Sequence, residues 1–168
     1  MLLSPELVRT HIDYTGWASA RLVEAAGQLT PEELTRDFGT ADKTVLGTLV
    51  HAFAADRVWM VRVAGDPPAK FMDAEKDMHL SVLQNDWPAL MQKWQAWALS
   101  LTPDAVMAKV AWKDLKGNSF EMPTWQIALH LVNHGTHHRG QVSGFLRAMG
   151  KVPPSLDLAR YYRELAQK

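Results

Sequence analysis

Apolar residues recur at three- and four-residue steps over four long stretches of the chain, each bounded by residues that start or stop a helix. Ser4-Pro5-Glu6 is a start: a hydroxyl accepts an orphan N–H, and the proline sits where no N–H is missed. Leu7, His11, Tyr14, Ala18, Leu22 and Ala25 then form one stripe up to Gly27. Thr30-Pro31-Glu32-Glu33 reads as a capping box opening one short turn, and Gly39 to Asp42 as a loop. A second helix is expected from about Lys43 to Ala64 on Leu46, Leu49, Val50, Phe53, Val58 and Val61, ending at Gly65-Asp66-Pro67-Pro68. Residues 69 to 83 mix charges with two methionines and read as partly irregular. A third helix is expected from about Gln84 to Leu101, which places Pro88 in the first turn, where its absent N–H has no intrahelical partner to lose.

The period then changes. Val106, Ala108, Val110 and Trp112 alternate, and Lys116-Gly117-Asn118 supplies a turn, so a small hairpin or extended connection is expected between Val106 and Met122. A fourth long helix follows from about Thr124 to Met149, stopping at Gly150 with Pro153-Pro154 beyond it, and a short last helix runs from near Ser155 to Glu164. Four long amphipathic helices bury their stripes most simply in an all-α four-helix bundle, with the hairpin before the last long helix and a short C-terminal helix after it. The whole chain, 1–168, reads as one domain without internal repeats.

Composition narrows the partners. Lys plus Arg and Asp plus Glu stand at 18 each, so no net field favours nucleic acid. No cysteine is present, which excludes disulfides, thiolate metal ligands and a cysteine nucleophile, and any reactive thiol has to arrive from outside. No stretch approaches the roughly 18 apolar residues of a membrane span, and Met1 to Glu6 lacks a leader pattern. A soluble, unprocessed cytoplasmic protein acting on a small molecule is expected. Seven tryptophans read mainly as large core packing, with Trp94 and Trp97 at helical spacing.

The seven histidines matter for where they fall. With His130 set as the origin and about 100° per residue, Ile127, Leu131, Val142, Phe145 and Met149 lie between roughly 60° and roughly 120°. On this wheel His134 falls at about 40° and His138 at about 80°, so both point into the inward stripe one turn apart. His130 itself and His137, at about −20°, sit on the flank of that stripe. A lone inward histidine is most often a hydrogen-bonded core residue. Two at i and i+4 can grip one ion, which relieves the roughly 1–3 kcal/mol that each unpartnered buried ring costs. A third ligand has to come from another helix, and His51, beside the stripe of helix two, is the best candidate, with His11 in reserve. Three imidazoles suit zinc, nickel, cobalt, copper or iron and not magnesium or calcium, and three protein ligands leave a position open. Gly135 stands where a zinc protease needs glutamate, and Glu121 alone cannot make a bundle di-iron site, so both are excluded. Gly135 and Gly140 read as clearance for a helix, a metal or a substrate. Gln141 and Arg139 flank the site: either can anchor an anion or steady a ligand ring, and Arg139 reads equally as a surface or ion-pair residue.

The run Asn133-His134-Gly135-Thr136-His137-His138-Arg139-Gly140-Gln141, with His51 in Thr48-Leu49-Val50-His51 and with Tyr14 and Trp17 on helix one, resembles the DinB (damage-inducible, YfiT-like) superfamily. The close, Pro153-Pro154-Ser155-Leu156-Asp157-Leu158 followed by Tyr161-Tyr162-Arg163-Glu164, is similar to that family's ending. The resemblance implies a four-helix bundle, often a homodimer, with a divalent transition metal, zinc or nickel first, on His51, His134 and His138. It also implies relatives that include S-transferases and a maleylpyruvate isomerase using low-molecular-weight thiols such as bacillithiol or mycothiol. The leading expectation is therefore a metal-dependent thiol S-transferase in stress or detoxification. The alternatives are a metal-dependent hydrolase using water at the same open position, and a non-catalytic metal-binding stress protein. No catalytic residue is assigned, and His11, Tyr14, His130, His137 and Arg139 have open roles.

Overall fold

The structure, a computed structural model, describes residues 3–68, 70–71 and 73–167, with 74 and 75 described in backbone only. Its elements are α1 (Pro5–Ala26), α2 (Pro31–Thr35), α3 (Val45–Ala64), α4 (Ala74–Asp77), α5 (Leu80–Ser100), α6 (Pro103–Met107), β1 (Lys109–Lys113), β2 (Ser119–Pro123), α7 (Thr124–Ala148) and α8 (Leu158–Leu165). The four long helices pack in the order α1, α5, α3, α7 around the bundle, so α3 and α7 are neighbours and α1 lies on the other side of α7. This is the all-α four-helix bundle that the periodicity predicts.

The helix boundaries follow the local chemistry. Ser4 Oγ accepts from Leu7 N at 3.2 Å, and the capping box between Thr30 and Glu33 closes in both directions. Thr44 caps α3, and Gly65, at φ 73°, ends it in the left-handed conformation that costs glycine least. Trp94 is fully buried and donates Nε1–H to Asp56 O at 3.2 Å, while Trp97 packs beside it. No helix among the described residues is long and apolar enough to cross a membrane.

Three expectations need correction. On α1 the stripe is rotated: Val8, Ile12, Thr15, Ser19 and Val23 are buried with Tyr14, Ala18 and Leu22, while Leu7 is 45% exposed. The rotation arises because α1 faces α5 and α7 together, a wider arc than a single stripe. The segment 69–83 is partly irregular as expected, at 70, 71, 73, 78 and 79, and also holds the short α4 and the start of α5, while residues 69 and 72 lie outside the described part. Helix α5 therefore begins at Leu80, and Pro88 lies in its interior. The proline is tolerated because it is on the exposed side, where water can reach the carbonyl it frees, while Leu83, Trp87, Leu90, Met91 and Trp94 hold the buried stripe across it. Finally, Val106 is helical and fully buried in α6, since Thr102 Oγ1 caps that turn through Ala105 N. Only Val110 and Trp112 of the alternating set belong to a strand, in an antiparallel hairpin pairing Trp112 with Phe120 and turning at Gly117, φ 85°.

Candidate metal centre

Helix α7 carries His134 and His138 on one face, and α3 carries His51 opposite them. One ring nitrogen from each of the three lies within 4.8 Å of the other two. The ring centroids are 4.5 Å apart for His51 and His138, 5.3 Å for His51 and His134, and 4.5 Å for His134 and His138. The Nε2 atoms of His134 and His138 are 3.2 Å apart. Two ligand nitrogens about 2.0–2.1 Å from one tetrahedral ion would stand roughly 3.3 Å apart, so the spacing fits shared coordination.

The outer nitrogens of two rings are engaged. His138 Nδ1 donates to Gln141 Oε1 at 2.8 Å, and His51 Nδ1 faces Asp42 Oδ1 at 3.3 Å. Because amide and carboxylate oxygens accept, the neutral form of each ring carries its proton on Nδ1 and keeps its lone pair on Nε2. Asp42 Oδ2 is also 3.8 Å from His138 Nδ1, so one carboxylate addresses both helices. Burial, followed by the neighbouring imidazoles, pushes His134 down to about 4. Burial also lowers His138, against the Gln141 hydrogen bond. These two rings are neutral at pH 7 and present lone pairs, the form a metal requires. The His138 side chain is 9% exposed and that of His51 30%, so the centre opens to solvent on the α3 side.

Asp42 is the residue that sequence reasoning leaves unremarked at the end of a loop. Phe38 stacks on Phe145 of α7 with centroids 4.3 Å apart, and its N–H donates to Lys43 O at 2.8 Å. Lys43 adopts φ 60°, a left-handed turn uncommon for lysine, which folds the loop back over the start of α3. A Cβ at Gly47 would lie 2.3 Å from Asp42 O, so only glycine allows this approach. A glycine in the first turn of a capped helix is the one signal in the sequence that something packs there.

The other candidates lie elsewhere. His11 contacts Leu7 O at 2.8 Å through Nδ1 and faces Tyr162, away from the cluster. His137 and His130 are exposed, His137 edge-on to His138 and His130 between His134 and Trp59. Tyr14 donates its hydroxyl to Leu156 O at 2.9 Å and packs on Tyr161, tying α1 to the C-terminal segment. Arg139 is 3% exposed, so its reading as a surface residue is corrected: it lies between α7 and α1, donating to Thr136 Oγ1 at 3.0 Å and to Ser19 Oγ at 3.4 Å, with its guanidinium 5.3 Å from the Tyr14 ring. Gly135 makes that possible, since a Cβ there would sit 2.6 Å from Arg139 Nη1, whereas nothing crowds Gly140. The expected clearance at Gly135 is therefore for an arginine, and the expectation for Gly140 has no counterpart.

The model of the DinB family matches residues 5–167. The fold is similar to the crystal structure of a DinB-like protein from Bacillus cereus ATCC 10987, with a TM-score of 0.66 and 19% identity, over 92% of this chain and 99% of that one. No curated protein matches the chain.

Proposed function

The chain belongs to the DinB family, and from that membership we propose that it holds one divalent transition metal on His51, His134 and His138 and carries out thiol-dependent S-transfer. The observation that carries the proposal is the convergence of three ring nitrogens from two helices, with the outer nitrogens of His51 and His138 engaged by Asp42 and Gln141. A cluster serving only packing has no need of aligned inward lone pairs.

An all-imidazole set without carboxylate or thiolate suits zinc or nickel. Bound there, such an ion would act as a Lewis acid, lowering the pKa of a thiol or water at its open position. The chain's own groups do the rest. Asp42 and Gln141 fix the Nδ1–H tautomers and hold the rings in place. Partial burial keeps His134 and His138 unprotonated, so protons compete weakly at neutral pH. The partly exposed His51 side leaves an approach for an external thiol, in a chain that has no cysteine of its own.

The test is turnover of a model electrophile, 1-chloro-2,4-dinitrobenzene, by zinc- or nickel-loaded protein with and without added cysteine-type thiols. Thiol-dependent turnover that vanishes in His138→Ala supports the transferase. Turnover of an activated ester without thiol replaces it with the hydrolase, and metal binding without either activity points to a binding protein.

A further inference from the structure

Eleven residues beyond His51, on the same face of α3 and roughly 16 Å along its axis, stands Arg62. Its guanidinium lies 4.3 Å from the Trp59 ring and 5.1 Å from the Trp112 ring, between α3 and the hairpin. Among the described residues it has neither a hydrogen bond nor an ion-pair partner. Asp114, the nearby carboxylate, is engaged by Lys116 N, Asn118 N and Asn118 Nδ2 in the hairpin turn. Partial burial disfavours the Arg62 charge while Asp114 nearby favours it, and the guanidinium donors have no hydrogen-bond partner.

Arg62 lines a pocket of about 340 Å³ together with Phe71, Trp112 and Lys113, and the carboxylates of Asp66 and of the turn-bound Asp114 stand at the same pocket. The pocket and the histidine centre are joined by rings on both sides. Phe71 packs edge-on against His51, with centroids 5.1 Å apart. On the other side His134, His130, Trp59 and Trp112 follow one another at centroid separations of 5.7, 5.0 and 5.3 Å. An arginine in a helix leans toward the N-terminus, which aims the guanidinium of Arg62 back along this track. Phe71 and Trp112 thus stand at the pocket beside a forked cation, and Phe71 packs in turn on His51 of the imidazole cluster.

We propose that this pocket is a binding subsite for a small organic carboxylate with a flat conjugated body, its carboxylate paired with Arg62 and its body against Trp112 and Phe71. The fork geometry of the guanidinium suits a planar oxyanion, and the aromatic walls suit a conjugated chain or ring more than a saturated one. The ligand's role as a substrate rests on the transferase reading, whereas its binding does not depend on metal.

The experiment is titration of the metal-free full chain by calorimetry and tryptophan fluorescence with trans-cinnamate, its neutral amide, and acetate. The wild type should bind cinnamate at least about tenfold more tightly than either comparison compound, as one charge-assisted bidentate contact implies. In Arg62→Gln the preference over the amide should disappear, and Arg62→Lys, which keeps the charge without the fork, should retain part of it. Equal affinity for cinnamate and cinnamamide in the wild type, or an undiminished preference in Arg62→Gln, overturns the proposal. Zinc binding measured in parallel separates the two readings: intact zinc binding without cinnamate selectivity removes the subsite alone, and the reverse removes the metal centre alone.

Discussion

Helices α3 and α7 each contribute to two polar clusters only a turn or so apart, and the two are built on opposite plans. At one, His51, His134 and His138 turn ring nitrogens toward a common point, with Asp42 and Gln141 behind two of them. At the other, Asp56 and Arg139 are buried within the bundle at 2% and 3% exposure, and most of their polar atoms are taken up by neighbours: Trp87 Nε1 donates to Asp56 Oδ2 at 2.9 Å, and Arg139 donates through its Nη atoms to Thr136 and Ser19 while its Nε has no partner. Burial pushes Asp56 up to about 7, against the Trp87 hydrogen bond and the Arg139 charge. The first cluster leaves acceptors free and reachable, which is what a ligand needs. The second directs its polar groups into the fold, which is how buried charge is tolerated. Polarity in a bundle core does not by itself mark a site; the direction of the free lone pairs does.

The largest expected effect strikes the second cluster. Arg139→Ala removes a buried cation and leaves a void beside Tyr14, so it should destabilise the metal-free protein by about 3 kcal/mol or more in urea unfolding. Zinc affinity of the folded fraction should stay within about threefold of wild type, since the cation makes no contact with the three rings. The converse follows for the first cluster. His51→Ala should lower zinc affinity by about 100-fold or more while changing metal-free stability by less than about 1 kcal/mol, because the ring is partly exposed and its role is in binding. A comparable loss in both properties for both variants would dissolve the distinction.

How much of this contrast is written in the sequence depends on where each contact originates. The i, i+4 spacing of His134 and His138 and their place on the inward stripe are local properties of α7, so the wheel finds them, and His51 follows from its position beside the stripe of α3. Asp42 is invisible to periodicity: its approach depends on the left-handed Lys43, the Phe38–Phe145 stack and the missing Cβ at Gly47, which are tertiary. Arg139 lies roughly 180° from His130 on the same wheel, off the predicted stripe. It is buried because α1 covers that second face of α7, a fact about packing order that no single-helix pattern contains. The bundle itself was legible because four long amphipathic stretches have few other ways to bury their stripes. Pro88 is a poor marker of the first turn here because an exposed helix face lets water satisfy the carbonyl that proline frees.

Smaller effects sharpen the role of Asp42. Asp42→Asn should weaken zinc binding about tenfold, the usual range for a carboxylate that orients a ligand imidazole, with little change in unfolding midpoint. Gly47→Ala, which touches no histidine, should reproduce part of that loss by forcing Asp42 aside. Calorimetric zinc titration checks both, and wild-type affinity in Gly47→Ala would separate the loop from the centre.

The smallest effect is a pair of opposed pH dependences in the metal-free protein. Asp56 keeps its proton up to about 7 when folded, against an ordinary 3.8, so its contribution is present at low pH and lost as pH rises from about 4 through 7. His134 resists protonation down to about 4, against an ordinary 6.5, so its contribution is present above 6.5 and lost as pH falls toward 4. The two slopes offset each other between these limits. Asp56→Asn should expose stability that falls on acidification, and His134→Gln stability that falls on alkalinisation, both read from urea midpoints between pH 4 and 7.

The central claim is that three imidazoles from two helices share one ion, and X-ray absorption at the zinc edge of the loaded protein tests it most directly. The account predicts one zinc per chain with three imidazole nitrogens at about 2.0–2.1 Å, and an imidazole contribution that drops by one in His51→Ala. Equal zinc content and an unchanged imidazole signal in wild type, His51→Ala and His138→Ala would contradict it.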